Sequence, residues 1–369
     1  MTNGIVPAPI AGLPWRLIFL MFAMTGFGTV ILYSAAGGSL TPWAGQHFVR
    51  FLVFLTMAIV LSRFPLDFWK KITIPAYFGA LALLFVVELI GQVGGGSQRW
   101  INIGFMTLQP SELMKLAIVL AAAWFFDRLP PSKINSLDAI WPIIALLGVP
   151  SILVIIQPDF DSAIAFAFPV AVMAFVAGMP LLYFIGGGAS LAAIAPLVFF
   201  FGLKEYQQNR VLIFLNPEND PLGAGYHITQ SKIAIGSGGV FGKGFLNGTQ
   251  SHLDYLPEGH TDFVFATMAE EWGLMGGLAV MAGFFFLLRW GLRVGLESRS
   301  RFGQLVAVGL TAMMFFSIMI NLMMVMGLAP VAGIPLPFIS HGGSSFLTVM
   351  ISIGIIMSIE RHPARRQFG

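Results

Sequence analysis

Ten runs of about 17 to 28 mostly apolar residues recur along this chain, separated by charged, glycine or proline clusters. A membrane-spanning helix needs roughly 20 such residues. Lipid offers no partner for an open backbone N–H or C=O, so each run must satisfy its own hydrogen bonds as a helix. The runs place spans at about 15–35, 47–63, 72–92, 112–128, 139–156, 161–178, 181–202, 264–288, 303–328 and 343–360. The expected fold is all-α: a single polytopic membrane domain over 1–369. The turns at 157–160 and 179–180 are very short, which leaves the boundaries of spans five to seven open.

Composition agrees. Hydrophobic residues make up 57% of the 369 and charged residues 10%, with a mean hydropathy of +0.83. Soluble domains carry about 25% charged residues, and a chain this apolar would expose too much hydrocarbon surface to stay dispersed in water. With no cysteine, disulfides, thiolate nucleophiles and cysteine-held metals are excluded. The first run, about Trp15 to Ala35, is too long for a signal-peptide core and reads as an uncleaved span. With the N-terminus in the cytoplasm, 13 of the 20 Lys and Arg fall on the cytoplasmic side. Four of the other seven lie in one long loop, which counts little in the positive-inside rule. An even number of spans puts both termini inside.

That loop, about 204–262, is the one extended polar segment. Loops beyond about 15 residues are usually functional or disordered. This one is not of low complexity. Ile228, Ile233 and Ile235 suggest short helices, and an ordered cap on the outer leaflet is expected.

Several constellations could carry chemistry. Asp262, in Glu258-Gly-His-Thr-Asp-Phe263, sits where the loop enters span eight. A carboxylate held there and partly desolvated can accept a proton from a hydroxyl; the simpler reading is a helix N-terminal residue favoured by the dipole. Gln157-Pro-Asp-Phe-Asp161 is a tight turn in which Asp159 can cap a helix, and an Asp-x-Asp pair can also hold a divalent cation. Glu112 and Lys115 lie three residues apart in span four, as a mutual ion pair or a functional one. Glu88, Glu270 and Glu271 pose the same question. Glu270 and Glu271 are adjacent, so they cannot share one helix face, and at least one should line an internal cavity. Lys204, Arg210, Lys232 and Lys243 alternate with glycine-rich runs, a composition that suits phosphate oxygens. Pro335-Leu-Pro-Phe-Ile-Ser-His-Gly-Gly-Ser-Ser345 breaks helix between spans nine and ten; there His341 reads first as a hydrogen-bonded structural residue. No nucleotide-binding or metalloprotease motif stands in a suitable context, and nothing points to nucleic acid.

Taken together, several stretches resemble the SEDS family (shape, elongation, division and sporulation), and its rod-shape branch more than its division branch. They include Gln98-Arg-Trp-Ile101, Gln109-Pro-Ser-Glu-Leu-Met-Lys115, Gln157-Pro-Asp159, Asp220-Pro-Leu-Gly-Ala-Gly-Tyr-His227, Gln230-Ser-Lys-Ile-Ala-Ile-Gly-Ser-Gly-Gly239, Tyr255-Leu-Pro-Glu258, His260-Thr-Asp-Phe263 and Pro335-Leu-Pro-Phe338. The resemblance implies a peptidoglycan glycosyltransferase of the inner membrane that polymerises lipid II, with a class B penicillin-binding protein as transpeptidase partner in the elongation machinery. It implies Asp262 as general base and Glu112 with Lys115 as a paired charge. Substrate contacts are expected from Arg210, Lys232 and Lys243 in the loop, and from Gln109, Asp159, His260, Ser340 and Ser344 in the motifs. A divalent cation, Mg or Mn, stays open. The chain departs from the family twice, with Asp161 where glycine is usual and His341 where tyrosine is usual. A lipid II flippase and a non-catalytic scaffold for the transpeptidase remain alternatives, although no internal repeat of the kind transporters carry is evident.

Overall fold

The computed structural model describes residues 12–94, 97–102, 104, 107–202, 205–217, 220, 223–252, 255–256 and 258–362. Its membrane part comprises α1 (Trp15–Ala35), α2 (Ala44–Leu61), α3 (Leu66–Ile90), α4 (Pro110–Arg128), α5 (Leu137–Ile156), α6 (Phe160–Ala177) and α7 (Leu181–Leu197, prolonged by a π turn to Gly202). The long loop contains α8 (Glu205–Leu215), α9 (Ala224–Gly238) and α10 (Thr249–His252). The bundle closes with α11 (Val264–Glu297), α12 (Arg301–Val325) and α13 (Gly343–Arg361).

Among the described residues, nine helices are long and apolar enough to cross a membrane. The remaining expected span, the fourth, is α4, which differs in carrying Glu112, Lys115, Asp127 and Arg128. Its 19 residues rise about 28 Å, close to the hydrocarbon thickness. It tolerates charge because it lies inside the protein, against α3, α6 and α12, with Glu112 and Lys115 both buried. At the other extreme, α7 has no buried residue and is apolar all round. The short turns are real boundaries. Asp159 caps α6, its Oδ1 accepting from Ser162 N at 3.2 Å, and Gly178, at φ 109°, ends that helix just before Pro180.

Two features were not expected. A small antiparallel sheet, β1 (Gln92–Gly94), β2 (Ser97–Asn102) and β3 (Thr107–Leu108), joins α3 to α4 on the side of the long loop. And α11 runs nine residues beyond its expected end and is broken at Gly273, whose φ is 62°. There the loop backbone takes over what the helix gives up. Lys243 N and Gly244 N donate to the carbonyls of Glu270 and Glu271, each at 3.0 Å. Leu274 N and Met275 N donate to Gly239 O and Val240 O at 3.0 and 3.1 Å. In an unbroken helix those two amides would have served those two carbonyls, so the loop supplies both halves of the lost ladder. Residues 239–244 are thereby clipped to the break, and α9 is packed on α11.

Candidate active site

A cleft of about 550 Å³ opens on the side of the long loop, where the ends of α2, α4, α6 and α11 meet β2 and the segment before α13. Asp262 lines it, two residues before α11 begins. Its position is set by its backbone: Asn321, fully buried on α12, donates from Nδ2 to Asp262 O and to Ile334 O, both at 2.8 Å. Ser340 adds a second tie, donating to Thr261 O at 2.6 Å and accepting from Leu336 N at 2.8 Å. The loop–helix junction and the Pro-rich segment are thus one hydrogen-bonded unit.

Burial pushes the Asp262 carboxyl up from its ordinary 3.8 to about 7, and the charges of Glu258 and Asp161 push in the same direction. A carboxyl that titrates near neutrality while facing an open cleft has the properties of a general base. Glu258 is held over the junction, its Oε2 accepting from Thr261 Oγ1 at 2.6 Å.

Ion pairs line the same cleft. Lys115 Nζ lies 2.6 Å from Glu112 Oε1. Asp159 accepts from Ser162 Oγ at 2.8 Å and Gln109 Nε2 at 3.2 Å, and faces Arg99 at 3.6 Å. Arg99 also donates to Gln157 O at 3.0 Å and to Pro158 O. Ser344 donates to Thr107 O at 2.7 Å and accepts from Gln109 N at 3.0 Å, which fastens α13 to the sheet. At the rim, Arg50 donates to His341 Nε2 at 3.1 Å. Burial and the Arg50 charge hold the His341 imidazole down to about 4, so it is neutral and free to accept that bond.

The cleft therefore gathers Asp262, Glu112, Lys115, Gln109, Asp159 and Ser344. Other expected contacts lie elsewhere. Lys243 pairs with Glu270 at 2.6 Å and donates to Thr249 Oγ1 at 2.8 Å. The same Glu270 oxygen receives Thr249 N and Gln250 N at 2.9 and 3.0 Å, so this buried carboxylate fixes the loop. Lys232 is exposed on α9, its stem passing over Gly327. His260 stacks on Trp43 with ring centroids 3.9 Å apart, and burial lowers its pKa. Ser340 is buried in the backbone ties described above. Arg210 belongs to α8, and its side chain lies outside the described residues, as does Lys204. Glu88 is exposed near the end of α3, whereas Glu270 and Glu271 are both buried and Glu271 accepts from Ser34.

Arg50, Arg99, Glu258 and Thr261 line the cleft but carried no expected role. Arg99, Glu258 and Thr261 do stand in stretches that carry the family resemblance, whereas no motif marks Arg50; their partners are set across the chain, Arg50 meeting His341 and Arg99 meeting Gln157 across 291 and 58 residues of sequence. No three His, Asp or Glu among the described residues stand close enough together to hold a metal ion. The carboxylates of the cleft are therefore not a ready ligand set for Mg or Mn.

Fold and cleft together define a multi-pass membrane protein with a carboxylate-bearing pocket at one membrane face. Comparison with known proteins narrows this: the chain belongs to the FtsW/RodA/SpoVE family of cell cycle proteins, whose model matches residues 15–365. It is 38% identical over 351 residues to the peptidoglycan glycosyltransferase MrdB of Escherichia coli strain K12, covering 94% of this chain and 93% of that one. A solved chain from a study of how a peptidoglycan synthase complex coordinates polymerization and crosslinking matches with a TM-score of 0.82 and 30% identity, covering 95% of this chain and 98% of that one. The rod shape determining protein RodA of Thermus thermophilus matches with a TM-score of 0.72 and 27% identity over 96% and 98%.

Proposed function

We propose that this protein is a peptidoglycan glycosyltransferase that polymerises lipid II into glycan strands during rod-shape elongation, in complex with a class B penicillin-binding protein. The observation that carries the reading is the Asp262 carboxyl, poised near neutral pH in a cleft that Lys115, Arg99 and Arg50 also line. The charge distribution of the loops supports an orientation with both termini in the cytoplasm and the cleft facing outward.

In this reading Asp262 takes the proton of the acceptor sugar hydroxyl as its oxygen attacks the anomeric carbon of the donor. The bond from that carbon to the pyrophosphate oxygen breaks, and the undecaprenyl pyrophosphate leaves with the electron pair. It needs no acid, and cations lining the cleft stabilise its charge. Direct displacement converts an α-linked donor into a β-linked product.

Glycan synthesis from labelled lipid II by the purified protein with its transpeptidase partner tests this. A muramidase-sensitive ladder from wild type and none from Asp262→Asn, folded and still partner-bound, is the expected result. Equal ladders would remove Asp262 as the base. Low activity without the partner is also expected.

A further inference from the structure

At the end of the bundle opposite the long loop, α1 and α11 separate to leave a groove of about 820 Å³. Phe19, Leu20, Ala23 and Phe286 line its length, and Phe19 and Phe286 are largely exposed. Its mouth is different. Arg16, Arg289 and Arg293 line it there together with Trp15 and Trp290. Arg293 is engaged by Glu297 at 2.8 Å, and Trp290 Nε1 donates to Glu360 Oε2 at 3.2 Å. Among the described residues, Arg16 and Arg289 have no hydrogen-bond or ion-pair partner. Three guanidinium groups thus stand against Glu360 in the lining and Glu297 beside it, and positive charge is in excess.

We propose that this groove binds an anionic phospholipid of the cytoplasmic leaflet, its phosphate between Arg16 and Arg289 and an acyl chain along Phe19, Ala23 and Phe286. The site is amphipathic in the order of a phospholipid. Its cationic mouth lies at the helix ends, where tryptophans mark the headgroup level. Ala23 lies seven residues beyond Arg16, about 10 Å of helix rise into the hydrocarbon. A free phosphate ion would use the mouth and leave the apolar trough unfilled. A neighbouring protein helix would cover the trough but bring no required negative charge. The cytoplasmic leaflet is the negatively charged one, and basic pockets between spanning helices on that side suit anionic headgroups.

The test is native mass spectrometry of the delipidated full-length protein. It is titrated with phosphatidylglycerol or with phosphatidylethanolamine of the same chains. Wild type is expected to retain phosphatidylglycerol roughly tenfold better, the scale set by two juxtamembrane charges partly offset by Glu360. Arg16→Gln/Arg289→Gln is expected to lose the preference while melting like wild type in phosphatidylethanolamine. Ala23→Trp, which fills the trough and leaves every charge in place, is expected to lose phosphatidylglycerol retention as well. Equal retention of both lipids by wild type, or a preference that survives in either variant, overturns the proposal. So does inorganic phosphate raising the melting temperature as much as phosphatidylglycerol does, which would assign the mouth to a free anion.

Discussion

Asn321 holds Asp262 by its backbone and leaves the carboxylate free: its side-chain amide donates to Asp262 O and Ile334 O at 2.8 Å each, from a fully buried position on α12. Two segments separated by some 70 residues of sequence meet on this one amide. Asn321→Ala would strand two carbonyls at a cost of about 1–3 kcal/mol. It would also loosen the carboxylate, and a displacement of about 1 Å can cost roughly 10²-fold in rate. Glycan synthesis is therefore expected to fall by about 10- to 100-fold through kcat, with KM for lipid II little changed. An equal loss in kcat and rise in KM would indicate that the whole cleft has collapsed.

Asp262 makes the pH dependence definite. Its carboxyl is raised by burial first and then by Glu258 and Asp161 to about 7. As the proposed base Asp262 works ionised, so the rate is expected to climb with pH and level off above about 7. Asp161→Asn removes one repelling charge, lowers the Asp262 pKa, and moves that acidic limb to lower pH. Between 3.8 and 7 the native state keeps a proton that the unfolded chain has released, so raising the pH through this window destabilises the fold. Asp262→Asn lacks this linkage. It is expected to melt above wild type at pH 8 and near it at pH 4, as differential scanning fluorimetry in detergent would reveal.

The membrane architecture was legible because hydrocarbon imposes a length and a composition on every span. Even α4, the least apolar span, could be placed by its length and its neighbours. The place of Asp262 at the mouth of the loop was legible because it stands at a junction between a polar loop and an apolar helix. The sheet was not, since three strands of six residues or fewer carry no clear period. Nor was the allocation of the basic residues. Lys243 and Arg99 are alike in the sequence as cations near glycines, yet one is committed to Glu270 and the other reaches the cleft. That choice is made by contacts between distant segments, which local pattern does not encode.

Glu112 and Lys115 offer a way to separate structure from function. Their side chains are almost fully buried and 2.6 Å apart. Removing one partner leaves a buried charge uncompensated, at a cost of about 3–5 kcal/mol. Glu112→Gln and Lys115→Met are each expected to lower the melting temperature sharply. The double variant leaves no charge behind and is expected to recover much of that stability. If the pair also serves the reaction, the double variant stays inactive although refolded. Recovery of polymerisation along with stability would restrict the pair to a structural role.

The break in α11 predicts an effect at long range. Gly273 has a φ of 62°, and a Cβ there would stand 2.4 Å from Gly242 N. Side chains rarely adopt this conformation, and here the obstacle is backbone. Gly273→Ala is expected to eject residues 239–244 from the break and strand the carbonyls of Glu270 and Glu271. Buried unsatisfied groups of this kind cost about 1–3 kcal/mol each. The loss should register first in the loop. Hydrogen exchange at Lys243, Gly244, Leu274 and Met275 should rise together, because those four amides form the clip, while exchange in α12 and α13 stays slow. Asp262 lies eleven residues before the break, just ahead of the same helix, and depends on α12 for its position. Activity is therefore expected to fall less in Gly273→Ala than in Asn321→Ala. The reverse order would mean that the loop, rather than the junction held by Asn321, positions the Asp262 carboxylate.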